Sequence, residues 1–322
     1  MMPTDQTRCL VIGSGKMGYA HCEVFADLIK GRVAVWAPTS TRQVAIEKLG
    51  IAFYSNQLED VIDQVQPTHV VVASPVETLT SISKKVLSLG IKNILIEKPA
   101  FLNRADGLSL MEHAKSFRAN ICIGYNRRFY SSILTAEKMI KDAGETVDSV
   151  IFEFNEQPFT AEQINKFDPS VRERWLICNS MHVIDSAFLP TGLPDVKQSS
   201  FITRGSTDWH RSGGIFAGSG LTDGGAVFSY HANWHGPGRW NFCWITRTMR
   251  YIFCPLETLG VMPHGSFVTN NVDFDAKADV RFKPGLYRQN NAFLNGDSEQ
   301  RLVSLERALS LINMGSKMAG YD

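Results

Sequence analysis

The amino-acid sequence predicts an α/β protein that begins with a doubly wound parallel sheet and continues into an α/β domain with an open, mostly antiparallel sheet. The first observation is a regular alternation of short apolar runs with helical periodicity over the first 124 residues. The second is that this alternation stops afterwards, where apolar runs follow one another with few helices between them. The third is the length, because 322 residues suit two domains better than one.

The first domain is predicted from valine- and isoleucine-rich runs that end at turn residues, with amphipathic segments between them. The predicted strands are Cys9–Ile12, Val33–Trp36, Thr68–Ala73, Asn93–Glu97 and Asn120–Gly124. The predicted helices are Met17–Lys30, Thr41–Leu49, Thr78–Leu89 and Arg104–Phe117. Strands that alternate with helices in this way form a parallel sheet covered on both faces.

The second domain is predicted to start after a junction near Gly124, which divides the chain into residues 1–124 and 125–322. Its predicted antiparallel strands are Ser149–Glu156, Ala226–Tyr230, Asn241–Thr248 and Tyr251–Pro255. Its predicted helices are Ser131–Asp142, Met181–Leu189 and a closing helix, Glu299–Lys317.

Composition and charge favour a small-molecule partner. The 33 Lys and Arg residues balance 32 Asp and Glu residues without a block of one sign, so nothing indicates binding to nucleic acid or to an anionic membrane. The six cysteines are scattered without a CxxC pair, which suits reduced thiols and predicts no metal site. No apolar run approaches the roughly 18 residues of a membrane span. We therefore expect a cytoplasmic protein.

A glycine-rich turn lies between the first predicted strand and the first predicted helix, and its three glycines, Gly13, Gly15 and Gly18, fit the pattern GxGxxG. Each glycine has a physical task there: the first permits a tight turn, the second lets the backbone approach a pyrophosphate, and the third lets helix and strand pack closely. The N–H groups at the helix start favour an anion. The turn therefore predicts a nicotinamide dinucleotide site that includes Ser14, Lys16 and Met17.

The end of the second predicted strand bears on the choice of cofactor. NAD-selective sites usually place Asp or Glu there to hold the ribose hydroxyls, but this sequence has no carboxylate from Trp36 to Arg42. Thr39, Ser40 and Arg42 offer hydrogen bonds and positive charge to a 2′-phosphate, which favours NADP over NAD. The alternative is that Arg42 only begins the solvated face of the next helix.

Glu97 and Lys98 stand at the carboxyl end of a predicted parallel strand, the edge at which doubly wound sheets bind ligands. Four motifs then occur in order: GSGKMG at Gly13–Gly18, ASP at Ala73–Pro75, EKP at Glu97–Pro99, and GYNRRF at Gly124–Phe129. Together they resemble the Gfo/Idh/MocA family of oxidoreductases, and NAFLNG at Asn291–Gly296 extends the resemblance over nearly the whole chain.

The resemblance implies a Rossmann domain joined to a substrate-binding and oligomerisation domain, with sugars, cyclitols or their derivatives as substrates and a dimer or tetramer as the assembly. It adds Ser74, Pro75, Glu97 and Lys98 to the cofactor site. Lys98 is expected to hydrogen-bond the reacting oxygen, where an ammonium stabilises a developing alkoxide. His182 is the expected acid/base group, oriented by Asp185 one helical turn later.

Further substrate contacts are expected from the junction, at Tyr125, Asn126 and Arg127, and from the segment around His182, at Trp175, Asn179 and Asp185. An interdomain salt bridge is the alternative for the Arg127–Arg128 pair. One departure from the family is evident, since Cys178 stands where an aspartate usually precedes the histidine. Asn179 can offer a neutral hydrogen bond there but cannot act as a base.

The predicted function is hydride transfer between nicotinamide and a carbinol or keto carbon of a sugar derivative. Asn233–Trp240, followed later by Phe253–Glu257, adds a softer resemblance to members from bacterial surface-sugar gene clusters. Two alternatives stay open: an NAD-dependent glycosidase that oxidises its substrate transiently, and a non-catalytic dinucleotide-binding sensor or partner protein.

Overall fold

The structure, a computed structural model, describes residues 6–39, 42–156 and 161–321 and divides the chain into two compact units. The first unit comprises residues 1–126 and 278–309, and the second comprises 127–277 and 310–322. The predicted fold class is confirmed, because a mostly parallel sheet and a mostly antiparallel sheet are both present. The predicted second domain, 125–322, is not one continuous unit, since residues 278–309 return to the first.

The strands in chain order are β1 (Cys9–Ile12), β2 (Val33–Trp36), β3 (Ala52–Tyr54), β4 (His69–Val72), β5 (Asn93–Glu97), β6 (Asn120–Gly124), β7 (Ser149–Phe154), β8 (Pro194–Arg204), β9 (Ile215–Thr222), β10 (Val227–Asn233), β11 (Trp240–Ile245), β12 (Met249–Phe253), β13 (Gly260–Pro263), β14 (Asn270–Asn271) and β15 (Val303–Ser304).

The α-helices in chain order are α1 (Lys16–Leu28), α2 (Gln43–Glu47), α3 (Leu58–Val65), α4 (Leu79–Ser88), α5 (Arg104–Phe117), α6 (Ser131–Asp142), α7 (Ala161–Ile164), α8 (Pro169–Glu173), α9 (Met181–Ala187), α10 (Lys277–Arg281), α11 (Leu286–Asn295) and α12 (Leu305–Ala319). A π-helix, Leu176–Ser180, directly precedes α9.

The first sheet has the strand order β15-β6-β5-β4-β1-β2-β3, and β15 alone among these described strands pairs antiparallel. Residues of β1, β4 and β5 are apolar almost throughout and nearly all buried, as expected for strands covered on both faces. The chain runs from β1 through β2 to β3 on one side of β1 and then crosses to β4 on the other side. The order therefore reverses at β1, and the carboxyl ends of β1 and β4 flank a topological switch point.

The core of the first unit joins α1 to the sheet and to a later part of the chain. Cys22 and Phe25 of α1 are fully buried in the same apolar cluster as Phe293 and Leu294 of α11. Burial raises the pKa of the Cys22 thiol to about 12, so this side chain is a neutral packing group. Residues 278–309 belong to the first unit because they complete this core.

The second sheet has the order β14-β13-β12-β11-β7-β10-β9-β8 and is mixed, because β7 pairs parallel with β10. Along β7, Val150, Phe152 and Phe154 are buried while Ile151 is exposed, which is the alternation of a sheet with one covered face. Helix α9 packs on the covered face, where the Trp244 indole N–H donates to the Ala187 carbonyl over 2.8 Å.

Several predicted elements differ from the observed ones. The closing helix begins at Leu305 rather than Glu299, because Val303 and Ser304 pair with β6 instead. Strands β8 and β9 were missed because serine and glycine interrupt their apolar alternation. None of the helices within the described residues is both long and apolar enough to cross a membrane.

Candidate active site

The glycine-rich turn lies at the carboxyl end of β1 and has a conformation that requires glycine at its first position. Gly13 has a φ of 108°, and its N–H donates to the Trp36 carbonyl over 2.8 Å. A Cβ atom on Gly13 would lie 2.8 Å from the carbonyl carbon of Ala73. Both the backbone conformation and the space therefore exclude a side chain.

The other two glycines of the turn have different surroundings. A Cβ atom on Gly18 would lie 2.8 Å from the carbonyl carbon of Gly13, so helix α1 sits directly against the turn. Gly15 caps α1, and a Cβ atom there would meet nothing within 4 Å. Open space above Gly15, beside the N–H groups of the first turn of α1, fits the pyrophosphate of a dinucleotide.

A cavity of about 630 Å³ opens over this turn within the first unit. It brings together most of the predicted cofactor residues: Gly13, Ser14, Gly15, Lys16, Met17, Thr39, Ser74 and Pro75. Gly18, Arg42, Glu97 and Lys98 do not line it, and Ser40 falls outside the described residues. Among the described lining residues none is acidic and Lys16 carries a positive charge, so the cavity suits an anionic ligand.

The loop after β2 reaches the glycine turn. The Ser14 hydroxyl donates to the Thr39 carbonyl over 3.4 Å, and the Trp36 indole N–H donates to the Asn56 carbonyl over 2.8 Å. Thr39 is exposed on the cavity wall, and Arg42 immediately precedes α2. The predicted ribose end of the cofactor site is thus lined by hydroxyl and carbonyl groups at Thr39.

Glu97 ends β5, and its carboxylate faces a buried histidine. His21 Nε2 lies 2.9 Å from Glu97 Oε1, and His21 Nδ1 lies 3.1 Å from Asn290 Oδ1. Lys98, the next residue, is half-buried in the turn that follows β5. Neither His21 nor Asn290 was predicted from the sequence as a site residue. The signal for His21 was its spacing from Gly18 and Phe25 on the buried face of α1.

In the second unit, His182 lies in the first turn of α9 and is buried. Asp185 lies one turn further and is 1% exposed. Arg128 binds its carboxylate through two hydrogen bonds, from Nε over 2.7 Å and from Nη2 over 2.6 Å. The carboxylate predicted to orient His182 is therefore held in a bidentate ion pair.

Residues before His182 form a polar group that sequence analysis only partly anticipated. The Asn179 amide N–H donates to Glu156 Oε2 over 2.8 Å, and the Ser180 hydroxyl donates to Glu156 Oε1 over 2.6 Å. Glu156 follows β7, is 4% exposed and was not predicted as a site residue. Its sequence signal is a carboxylate two residues after the end of an alternating strand.

The remaining predicted substrate residues have varied surroundings. Trp175 is buried and packs edge-on against Trp209, with ring centroids 5.8 Å apart. The Arg127 guanidinium lies 4.6 Å from the centre of the Trp240 ring, a cation–π contact within the second unit.

Two of the predicted substrate residues belong to the first unit. Tyr125 is buried there, as is Asn126, whose side-chain N–H donates to the Pro284 carbonyl over 2.8 Å. No group of three or more His, Cys, Asp or Glu side chains within the described ranges is placed to hold a metal ion.

Comparison with protein families gives one match in this region. The model of the Gfo/Idh/MocA oxidoreductase family, described as an NAD-binding Rossmann fold, matches residues 7–125. Residues 7–125 are thus similar to this oxidoreductase family. The match covers the glycine turn, the 630 Å³ cavity and the Glu97–Lys98 pair, which confirms the predicted resemblance where its motifs are densest.

A curated relative aligns with part of the chain. A scyllo-inositol 2-dehydrogenase (NAD(+)) from Bacillus subtilis is 32% identical over 144 residues, which are 44% of this chain and 41% of the relative. The chain therefore spans less than half the length of this relative in the alignment.

Solved structures of similar fold cover almost the whole chain. UDP-N-acetylglucosamine 3-dehydrogenase GnnA from Acidithiobacillus ferrooxidans has a TM-score of 0.74 at 15% identity, over 98% of this chain and 97% of that one. Levoglucosan dehydrogenase, in complex with NADH and levoglucosan, has a TM-score of 0.74 at 14% identity, over 98% and 96%. At these identities the likeness shows the two-unit fold.

Proposed function

We propose that this protein is an NAD(P)-dependent oxidoreductase that transfers a hydride between the nicotinamide and a carbinol or keto carbon of a sugar or sugar derivative. The observation that carries the proposal is the open space above Gly15, at the start of α1 and beside a 630 Å³ cavity whose described lining residues include none that is acidic. The family that residues 7–125 resemble and the names of the relatives, which act on an inositol and on sugars, support the substrate class.

The dinucleotide would be held by the backbone of Gly13–Gly18, with Thr39, Ser74 and Pro75 along the cavity wall. When bound, it supplies the hydride acceptor or donor. Lys98 is proposed to donate a hydrogen bond from Nζ to the reacting oxygen, because an ammonium stabilises the charge that develops there. His182 is proposed to take up or return the hydroxyl proton at an imidazole nitrogen.

NADP is the proposed cofactor, with NAD as the alternative. The described lining of the cavity offers no carboxylate to repel a 2′-phosphate, and Arg42 stands close in sequence to Thr39. Titration of the protein with NADPH and NADH, followed by their fluorescence, tests this choice. Clearly tighter binding of NADH would contradict it.

A homo-oligomer, either a dimer or a tetramer, is proposed as the assembly. Ile151, Ile202 and Val227 are 41%, 51% and 56% exposed, and strand register places them on one face of the second sheet. An exposed apolar sheet face is typical of an interface. Light scattering at several protein concentrations tests it, and a mass equal to one chain throughout would contradict it.

Turnover of a panel of sugars, sugar nucleotides and inositols with NAD⁺ and NADP⁺ tests the function. Lys98→Met is expected to lower kcat by about two to four powers of ten. Lys84→Met is the matched control, because Lys84 is half-buried like Lys98 and its Nζ donates to the Ser109 hydroxyl over 2.6 Å. Near-normal turnover of Lys98→Met would contradict the mechanism.

Two other results would replace the proposal. Release of a free aglycone without net cofactor reduction would indicate a glycosidase that oxidises its substrate transiently. Tight cofactor binding with no turnover across the panel would indicate a sensor or partner protein.

A further inference from the structure

Glu156 is a buried carboxylate beside the helix that carries His182, and the proposed mechanism gives it no task. Its two oxygens accept different hydrogen bonds, one from Asn179 Nδ2 over 2.8 Å and one from Ser180 Oγ over 2.6 Å. All three residues belong to the second unit. The carboxylate thereby joins the end of β7 to the junction between the π-helix and α9.

The carboxylate of Glu156 decides which way the Asn179 amide faces. Both of its oxygens accept hydrogen bonds, and Asn179 meets Oε2 with its Nδ2 donor. The amide orientation, which is ordinarily ambiguous because its oxygen and nitrogen look alike, is set here by this chemistry. Asn179 Oδ1 therefore points away from Glu156 and is presented as a hydrogen-bond acceptor.

The position of Asn179 indicates what its Oδ1 acceptor can bind. Asn179 is half-buried, whereas Ser180 on the same turn is fully buried, so solutes reach Asn179 more readily than Ser180. Asn179 lies three residues before His182, in the π-helix that runs directly into α9. An acceptor there recognises a hydroxyl group, the donor that sugars and polyols carry on carbons next to the reacting one.

We propose that Glu156 is a positioning residue that locks the Asn179 amide with Oδ1 toward the substrate, so that Asn179 reads a hydroxyl hydrogen-bond donor of a polyol or sugar. This proposal rests on the proposed function. The substrate group that Asn179 binds is then a hydroxyl. The buried carboxylate of Glu156 positions Asn179 and does not transfer a proton.

A reciprocal exchange of the two side chains tests the proposal. Glu156→Gln lets the Asn179 amide turn over, and KM for the substrate is expected to rise about tenfold while kcat changes less than about threefold. Asn179→Asp puts two carboxylates together, which raises the pKa of one of them, so its activity loss is expected to be smaller at lower pH. The double variant Glu156→Gln/Asn179→Asp restores the bond with donor and acceptor exchanged, and KM is expected to return to within about threefold of the unsubstituted protein.

Two control variants separate positioning from loosening of the fold. Ser180→Ala removes the other hydrogen bond of the same carboxylate and is expected to lower thermal stability while leaving KM unchanged. Glu145→Gln alters a carboxylate that also accepts hydroxyl groups, from Thr246 and Thr248, but precedes β7 rather than following it. It is expected to change neither KM nor kcat. The melting temperature and the dissociation constant of the dinucleotide are measured for every variant.

The outcomes distinguish this proposal from the proposed function. Unchanged KM in Glu156→Gln, or a double variant no better than the poorer single variant, overturns the role of Glu156 alone. An unsubstituted protein that turns over no sugar or polyol with either dinucleotide overturns the proposed function, and the role of Glu156 falls with it.

Discussion

His21 Nε2 lies 2.9 Å from Glu97 Oε1, and the two side chains are 0% and 8% exposed to solvent. The contact joins the second turn of α1 to the last residue of β5, directly before Lys98. Asn290 of α11 holds the other ring nitrogen of His21 at 3.1 Å. Three segments that are far apart in sequence thus meet behind the turn that carries the proposed catalytic lysine.

Removal of His21 is expected to destabilise the protein because it leaves a buried carboxylate without a hydrogen-bond donor. His21→Leu should lower the free energy of unfolding by about 3 kcal/mol, measured by urea denaturation. The double variant His21→Leu/Glu97→Leu should lie closer to the unsubstituted protein, since it buries no lone charge.

The control for this measurement is His264→Leu at an exposed position, which should change stability by less than about 0.5 kcal/mol. A His21→Leu variant as stable as this control would contradict the role assigned to the buried pair.

Alanine substitutions in the glycine turn should separate binding from folding. Gly15→Ala adds a methyl group in open space and should leave the melting temperature unchanged, while weakening NADPH binding by at least about tenfold because the pyrophosphate approaches there. Gly18→Ala should lower the melting temperature instead, since its Cβ atom meets the backbone of Gly13. Fluorescence titration and thermal denaturation measure both. Equal NADPH affinity in Gly15→Ala and the unsubstituted protein would argue against a pyrophosphate in the open space above Gly15.

Thr39→Asp should shift the cofactor preference toward NAD. A carboxylate on the cavity wall would repel a 2′-phosphate and accept hydrogen bonds from the ribose hydroxyls, so the affinity ratio of NADPH to NADH should fall by about tenfold or more. Thr39→Val is the matched control, because it removes the hydroxyl without adding charge. If both variants change the ratio equally, Thr39 does not face the 2′ position.

His210 should make stability fall at mildly acidic pH. Burial lowers its pKa below the ordinary 6.5, Arg174 lowers it further, and its hydrogen bond to the Gly213 carbonyl opposes this. The folded state then binds fewer protons than the unfolded state, so the free energy of unfolding decreases as pH falls below 6.5. His69, whose pKa burial also lowers, contributes in the same direction.

Urea denaturation between about pH 7 and pH 5 measures this slope, to which one histidine contributes at most about 1.4 kcal/mol per pH unit. His210→Gln should flatten it, although the loss of contacts with Gly213 and Tyr321 lowers stability overall. An unchanged slope in this variant would show that His210 protonates equally in both states.

The sequence by itself determined the features that depend on neighbouring residues. The strand, turn and helix around Gly13, Gly15 and Gly18 are contiguous, so apolar periodicity and glycine spacing predicted them together. The position of Glu97 and Lys98 at a strand end followed from the same local pattern. The apolar run after Asp148 predicted a strand over Ser149–Glu156.

Tertiary structure alone decided which distant groups meet. His21 contacts Glu97 across 76 positions and Asn290 across 269, and Glu156 contacts Asn179 across 23. Strand β7 lies parallel to β10, although the second sheet was predicted from antiparallel strands. Periodicity reports which face of an element is buried, but backbone hydrogen bonds between strands are the same for almost every residue type and so do not name the partner. The buried partners of Glu97 and Asn179 therefore became evident only once the chain had brought them together.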